Sequence, residues 1–395
     1  MAARKRRRDR SQTPLGQEYA RLASWQTADP LHDTFHASRT IRADDLAVWV
    51  ASVGEARHPL LPPGTRPNPV VVGDSVLYST FSPGSIVAFD WGTGAARWTC
   101  PLEYYGHPVT PGPPGSGLVY GGTCRELLAV EAGTGRVVWA FCPCGRKGET
   151  IYSSPAVDGD RLFVGDRRGH LHCLDAATGQ PVWRVLTSRA ANNDVNSSPV
   201  VSGGVVAVGT NARLAAGYEA ATGRPVWRHR LDGPCTNVVA AGGGAAAFWT
   251  SGSAYLLSVA SGAVLGRWRR RGHCVDHVCV AGDLTLAVTR RLWGRDGETW
   301  PVAELRAYRG ATAVYGLTYP RWAMAAVRYE PGTGRVYEAT SHGLGILDPR
   351  TGERVVVIGF AAGDDRPGQV GLPSVRDGRV YVAADDGRVL ALEHP

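Results

Sequence analysis

A turn followed by a tryptophan, repeated at nearly fixed spacing, constrains this 395-residue chain more than any other feature. TGAARW ends at Trp98, TGRVVW at Trp139, TGQPVW at Trp183 and TGRPVW at Trp227, so the tryptophans follow one another at 41, 44 and 44 residues. A period near that length marks stacked supersecondary units, and it overrides the two or three domains that length alone would suggest. The clearest copy, PAVDGDRLFVGDRRGHLHCLDAATGQPVW from Pro155 to Trp183, divides into four short apolar segments at Asp158-Gly159, Arg168-Gly169 and Thr178-Gly179. Glycine supplies the positive φ of tight hairpin turns, so each unit reads as four antiparallel strands, the make-up of a propeller blade. The composition, with 50 glycines and 26 prolines beside two methionines, suits many short strands and tight turns.

Weaker copies extend the series. Blade 1 runs from Pro69, blade 2 from about Val109, blade 3 from Pro155, blade 4 from Pro199 and blade 5 from near Asn237, its tryptophan shifted to Trp268. Blade 6, from about His277, carries an insertion around Trp293 to Pro301 and has Arg309-Gly310 in place of Thr-Gly. In blade 7, LDPRTGERVVV, a valine takes the tryptophan's place. The last copy, from Pro373, supplies only three strands before the chain ends, and AVWV at Ala47 to Val50, with Trp49, is expected to supply the fourth. Such closure removes the exposed sheet edges that would otherwise pair with another molecule. The expectation is an all-β, eight-bladed β-propeller over residues 40–395, preceded by a basic, disordered arm and linker over residues 1–39.

The pattern Pro-Val-Val, Val-Tyr-Val-Gly, Asp-Gly, Leu-Ala-Leu-Asp, Thr-Gly and Trp resembles the PQQ-like repeat propellers. That family includes quinoprotein alcohol dehydrogenases, the propeller lipoprotein of outer-membrane assembly and sensor propellers of bacterial kinases. The resemblance implies the fold over nearly the whole chain after residue 40, and it implies that Trp49, Trp98, Trp139, Trp183 and Trp227 pack between neighbouring blades. It does not choose a function, because catalysts, scaffolds and sensors share this architecture.

Positive charge is concentrated at the start. The first ten residues, MAARKRRRDR, carry six basic side chains against Asp9, a net of +5 within a total of +8. Such a block is a solvated tail that can make weak polyanion contact. Nearly all the remaining positive charge is arginine, as in a bacterial chain from a GC-rich genome. No apolar run follows the basic start and no stretch approaches a membrane span, so a cytoplasmic chain is the expectation, with its eight cysteines as thiols or metal ligands.

The loops leading into each blade's first strand gather on one face around the central channel. Aligning the blades brings Tyr152 and Ser153 beside Asn196 and Ser197, then Thr236 and Asn237, then Asp276 and His277: a polar, hydrogen-bonding rim suited to a protein or small polar ligand. Cys124, Cys142 and Cys144 form a candidate metal set around the Cys-Pro-Cys loop leaving blade 2, and HCVDHVC over residues 273–279 forms another, although neither has the spacing of a zinc module. Catalytic signatures are missing: there is no Gly-x-Ser-x-Gly elbow, no phosphate-binding loop and no adjacent cysteine pair of the quinoprotein kind. The expected function is a non-catalytic binding or scaffold propeller needing no cofactor. The alternative is an enzyme at the same face, either a PQQ-dependent oxidoreductase with calcium or a lyase using a histidine such as His107 or His277 as base. Zinc at the cysteines is the other cofactor weighed.

Overall fold

The computed structural model describes residues 39–395 apart from 54–67, 81–83, 104–105, 107, 144–150, 152, 236, 251, 270–272, 292–302, 311, 319–325, 341–342, 363–365, 368–369 and 385–386. The described chain is eight four-stranded antiparallel blades and almost no helix. Six blades are contiguous in sequence: blade 1 (Val70–Pro101), blade 2 (Thr110–Phe141), blade 3 (Ala156–Leu186), blade 4 (Val200–Arg230), blade 5 (Asn237–Arg269) and blade 6 (His273–Thr318). Blade 7 (Ala326–Gly359) is extended by Arg39–Arg42, which pairs in parallel with its outer strand. Blade 8 combines three strands within Ser374–Glu393 with Ala47–Ser52, Trp49 facing Ala391 across the pair. The first and last parts of the chain therefore meet in one sheet. No described helix is long and apolar enough to cross a membrane.

The core is divided among eight seams. Every adjacent pair of blades encloses its own apolar cluster, including one between blades 8 and 1 that holds Trp49, Val76, Phe89 and Tyr381. Second and third strands are buried on both faces, as in Val205–Thr210, whereas outer strands alternate, as in Pro181–Leu186. This burial follows from position, since the middle strands touch both neighbouring blades and the outer one meets solvent.

Five of the eight seams are fixed by one repeated contact. The ring of Trp49, Trp98, Trp139 or Trp183 lies against the Thr-Gly turn of the next blade, and that of Trp227 against Ser261-Gly262, where a Cβ on the glycine would come within 2.5 to 2.8 Å of the ring. Their indole N–H groups donate to the carbonyls of Trp91, Ala132, Ala176, Ala220 and Val259, each three residues before the docked glycine. These glycines also have φ between +70° and +75°, so both backbone and contact demand glycine. Trp268 adapts to blade 6 by donating to Gly310 instead. In blade 6 Tyr315 takes the tryptophan's part, its ring on Gly352 and its hydroxyl donating to Pro349. Blade 7 carries buried Val356 at that position. The reason is topological: the third and fourth strands of blade 8 come from opposite ends of the chain, so no Thr-Gly turn joins them to receive an aromatic ring.

Candidate functional site

In each blade the chain runs from the inner strand outward, so the loop to the next blade and the turn between second and third strands share one face. On this face the backbone N–H of Gly106, Ile151, Val195 and Cys235 donates to the carbonyl of Thr80, Cys124, Asp166 and Thr210 of the preceding blade. The rim is thus tied blade to blade. Further ties are Thr110 Oγ1 to the Pro155 carbonyl, Ser154 N–H to Ser198 Oγ, Arg328 to the Pro373 carbonyl and Ser374 to the Pro69 carbonyl.

The rim residues singled out in the sequence divide by orientation. Ser153 and Ser197 are buried, and each hydroxyl accepts from the backbone N–H of a glycine near the end of its own blade's second strand, Gly165 and Gly209, at 3.1 Å. Asn237 folds its side chain onto the N–H of Val238. Asn196 is half-buried, and its Oδ1, like that of Asn68, is enclosed without a hydrogen-bond partner. His277 sits on the first strand of blade 6, 5.7 Å from the Trp249 ring, with Nδ1 accepting from the Val327 N–H at 3.4 Å. Burial, with Arg328 adding to it, pushes the His277 pKa down to about 4, which makes it a weak base. Tyr152, Thr236 and His107, and the side chain of Asp276, lie outside the described residues.

Among the described residues the cysteines form no cluster of three potential ligands. Cys124 is buried in a turn of blade 2, Cys142 is exposed at the end of that blade's outer strand, and Cys144 lies outside the described residues. Cys100 packs into the seam between blades 1 and 2, and Cys279 into that between blades 6 and 7. Burial pushes the Cys173, Cys235 and Cys279 thiols up to about 12, so these are inert core residues.

One group escaped the sequence reading. Asp166, His170 and His172 converge on the loop face where blade 3 meets blade 2, and they form the one cluster of three such ligands among the described residues. His170 and His172 alternate on the third strand of blade 3 and so share a face, and Asp166 closes the turn before them. The carboxylate is fully buried: Oδ1 accepts from the backbone N–H groups of Arg168 and His170, while Oδ2 lies 2.8 Å from His172 Nε2. Burial acts to raise the Asp166 pKa, but the bonds from His172 and the His170 amide outweigh it and hold the group below the usual carboxylate range. His170 is pushed down, chiefly by burial. The signal lies in the sequence as Asp-x-x-x-His-x-His in GDRRGHLHC, within a stretch that also carries the period of a strand.

The face also carries charge. Arg125, Arg167, Arg168, Arg189 and Arg213 are all exposed on the loop face of blades 2 to 4, with Asp194 and Glu126 half-buried among them. Arg167 lies 3.4 Å from Asp194, and Arg213 donates to the Asp232 carbonyl.

Comparison with known proteins bears on this arrangement. A PQQ-like repeat family described as outer membrane protein assembly factor BamB matches residues 63–141 and 124–283, more than half of the chain. The chain belongs to this PQQ-like repeat propeller family. No curated protein matches it in sequence. Among solved structures, the quinohemoprotein alcohol dehydrogenase of Comamonas testosteroni aligns over 91% of this chain and 78% of its own, with 15% identity and a TM-score of 0.62. The computationally designed Ika8 protein aligns over 84% of this chain and 96% of its own, with 14% identity and a TM-score of 0.61. A europium-containing methanol dehydrogenase aligns over 85% and 86%, with 13% identity and a TM-score of 0.60. At these identities the likeness is one of fold.

The dehydrogenase fold-mates raise the question of a quinone with calcium, and the described residues of this PQQ-like propeller do not fit one. A hard cation needs six to eight oxygen ligands. On the described loop face Asp194 lies beside Arg167, Asp166 is bound up with His172 and backbone N–H groups, Glu126 stands apart from them in the preceding blade, and the hydroxyls of Ser153 and Ser197 turn into their own blades. Between blades 2 and 3, Thr123, Glu126, Ile151 and Ser153 line only a shallow depression with no enclosed cavity for a small molecule.

Proposed function

We propose that this PQQ-like propeller is a non-catalytic scaffold that holds an acidic protein surface against the loop face of blades 2 to 4. The observation that carries the reading is the arc of Arg125, Arg167, Arg168, Arg189 and Arg213, exposed on neighbouring loops of three consecutive blades. A rigid ring keeps these groups at fixed separations, so a partner's carboxylates meet planar donors already in place, which raises the association rate and fixes orientation. The family's description as an outer membrane protein assembly factor supports a role in protein assembly. The weak basicity of His277 gives the lyase alternative no support.

The test is charge reversal. Arg125→Glu, Arg168→Glu and Arg189→Glu together should weaken capture of a partner that wild-type protein retains by at least about tenfold, and raising salt from 0.05 to 0.5 M should weaken the wild-type complex in the same direction. Capture indifferent to both changes, or a captured species that is nucleic acid, would sink the proposal.

A further inference from the structure

We infer that Asp166, His170 and His172 form a site for a divalent transition-metal ion, zinc, at the seam of blades 2 and 3. The first argument is the substitution of residue types within a repeat. In strand register His172 occupies the place of Leu128 in blade 2 and Ala216 in blade 4, and Asp166 the place of Thr123 and Thr210. The neighbouring blades build the same turn without a buried charge. Blade 3 instead encloses a carboxylate and two imidazoles, whose removal from water is costly unless they are paired or bind a metal.

The second argument is geometry. Tetrahedral zinc with bonds of 2.0 to 2.1 Å sets its ligand atoms about 3.4 Å apart. Asp166 Oδ2 lies 2.8 Å from His172 Nε2 and 3.3 Å from His170 Nδ1, and all three ligand atoms fall within 4.8 Å of one another. Side-chain rotation that lengthens the Asp166–His172 separation and sets the two imidazole nitrogens at the same spacing would bring the triangle to the required size. The third argument is an orphan. His170 Nδ1 is buried and aimed at the cluster, 3.3 Å from Asp166 Oδ2, yet it completes no hydrogen bond. A metal ion supplies the electrophile that this lone pair lacks. The two backbone N–H groups on Oδ1 keep the carboxylate oriented with Oδ2 toward the imidazoles, as outer hydrogen bonds do in metal centres.

Two histidines and one carboxylate leave the fourth position open. The His170 side chain is 20% exposed, so water can reach that position from the loop face. The Phe141 ring lies 5.5 Å from the His172 ring, so an ion here would also brace the outer strand of blade 2 against blade 3.

The experiment uses the full chain stripped with chelator and titrated with zinc chloride by calorimetry, with cobalt(II) as a spectroscopic substitute. Wild-type protein should bind one equivalent and give the visible bands of four-coordinate cobalt without a thiolate charge-transfer band. The variant Asp166→Thr/His172→Leu copies blade 2 and should fold without metal and lose the site, while His170→Ala, at a partly exposed side chain, should weaken zinc at least about tenfold. Cys142→Ser/Cys144→Ser should bind as wild type. No binding to wild-type protein, binding that survives both Asp166→Thr/His172→Leu and His170→Ala, or loss of binding in the cysteine variant would each overturn the assignment. Should the double variant fail to fold, His170→Ala decides alone. None of these outcomes depends on whether blades 2 to 4 bind a partner.

Discussion

The seams make a quantitative claim that two glycines of one blade can test. Gly179 and Gly159 both have positive φ, +70° and +56°, so alanine at either position carries the left-handed penalty of about 1 to 2 kcal/mol. They differ in surroundings. A Cβ at Gly159 meets nothing within 4 Å, whereas one at Gly179 falls 2.5 Å from Cδ2 of Trp139. That separation lies more than 1 Å inside the optimum for carbon atoms, so the indole must withdraw, and with it go the bond from Nε1 to the Ala176 carbonyl and part of the ring's burial. A hydrogen bond of about 1 kcal/mol and a comparable loss of packing bring the cost of Gly179→Ala to roughly 3 to 4 kcal/mol, against about 1 to 2 for Gly159→Ala. Urea unfolding followed by tryptophan fluorescence should separate the two variants by about 2 kcal/mol, with Trp139→Phe/Gly179→Ala recovering part of the difference. Equal destabilisation would refute the docking account and leave the turn's backbone as the whole reason for its glycine.

Three further expectations follow from other seams. Glu338 and Arg354 form a buried two-bond ion pair at 2.8 and 3.2 Å over Gly345, so Arg354→Met should cost about 3 to 5 kcal/mol in urea unfolding, while Glu338→Leu/Arg354→Met should recover most of it. The folded-state pKa of about 4 at His277 lies below the ordinary 6.5, so the unfolded chain binds more protons between these values, and the stability this residue contributes is complete above pH 6.5 and lost toward pH 4. Because His277 keeps some solvent contact, wild-type protein should lose about 1 to 2 kcal/mol more than His277→Gln between pH 7 and pH 5, and identical losses would contradict the assignment. Removing residues 1–42 should leave a cooperative fold, since Arg39–Arg42 only adds a fifth strand to blade 7, whereas removing residues 1–53 takes away the strand bearing Trp49 and should abolish it, as read by circular dichroism and gel filtration.

The ring was legible because its information is repeated. Each Thr-Gly and Trp pair states half of a contact whose other half appears in the next copy, and the split blade could be read from Trp49 standing ahead of any turn. Departures from the repeat were harder to read. Tyr315 keeps an aromatic ring in place and Val356 abandons it, and only the topology of blade 8 explains why one seam needs the ring and the other does not. Side-chain direction in loops was not legible at all. Ser153 and Ser197 stand on the predicted rim yet face inward, because a glycine N–H near the end of the second strand needs an acceptor there. The cluster of Asp166, His170 and His172 went unseen because its aspartate belongs to a turn and its histidines to a strand, and only strand alternation combined with the hairpin joins them.

The most direct test of the scaffold reading is site-specific photo-crosslinking in cells. A photoreactive residue at Arg168 or Arg189, on the loop face, should yield one discrete protein adduct with an acidic partner, while the same residue at Asp160 or Gln180, on turns at the opposite end of the blades, should yield none. Adducts from Asp160 or Gln180 in place of Arg168 and Arg189, or no protein adduct from any of the four, would contradict it.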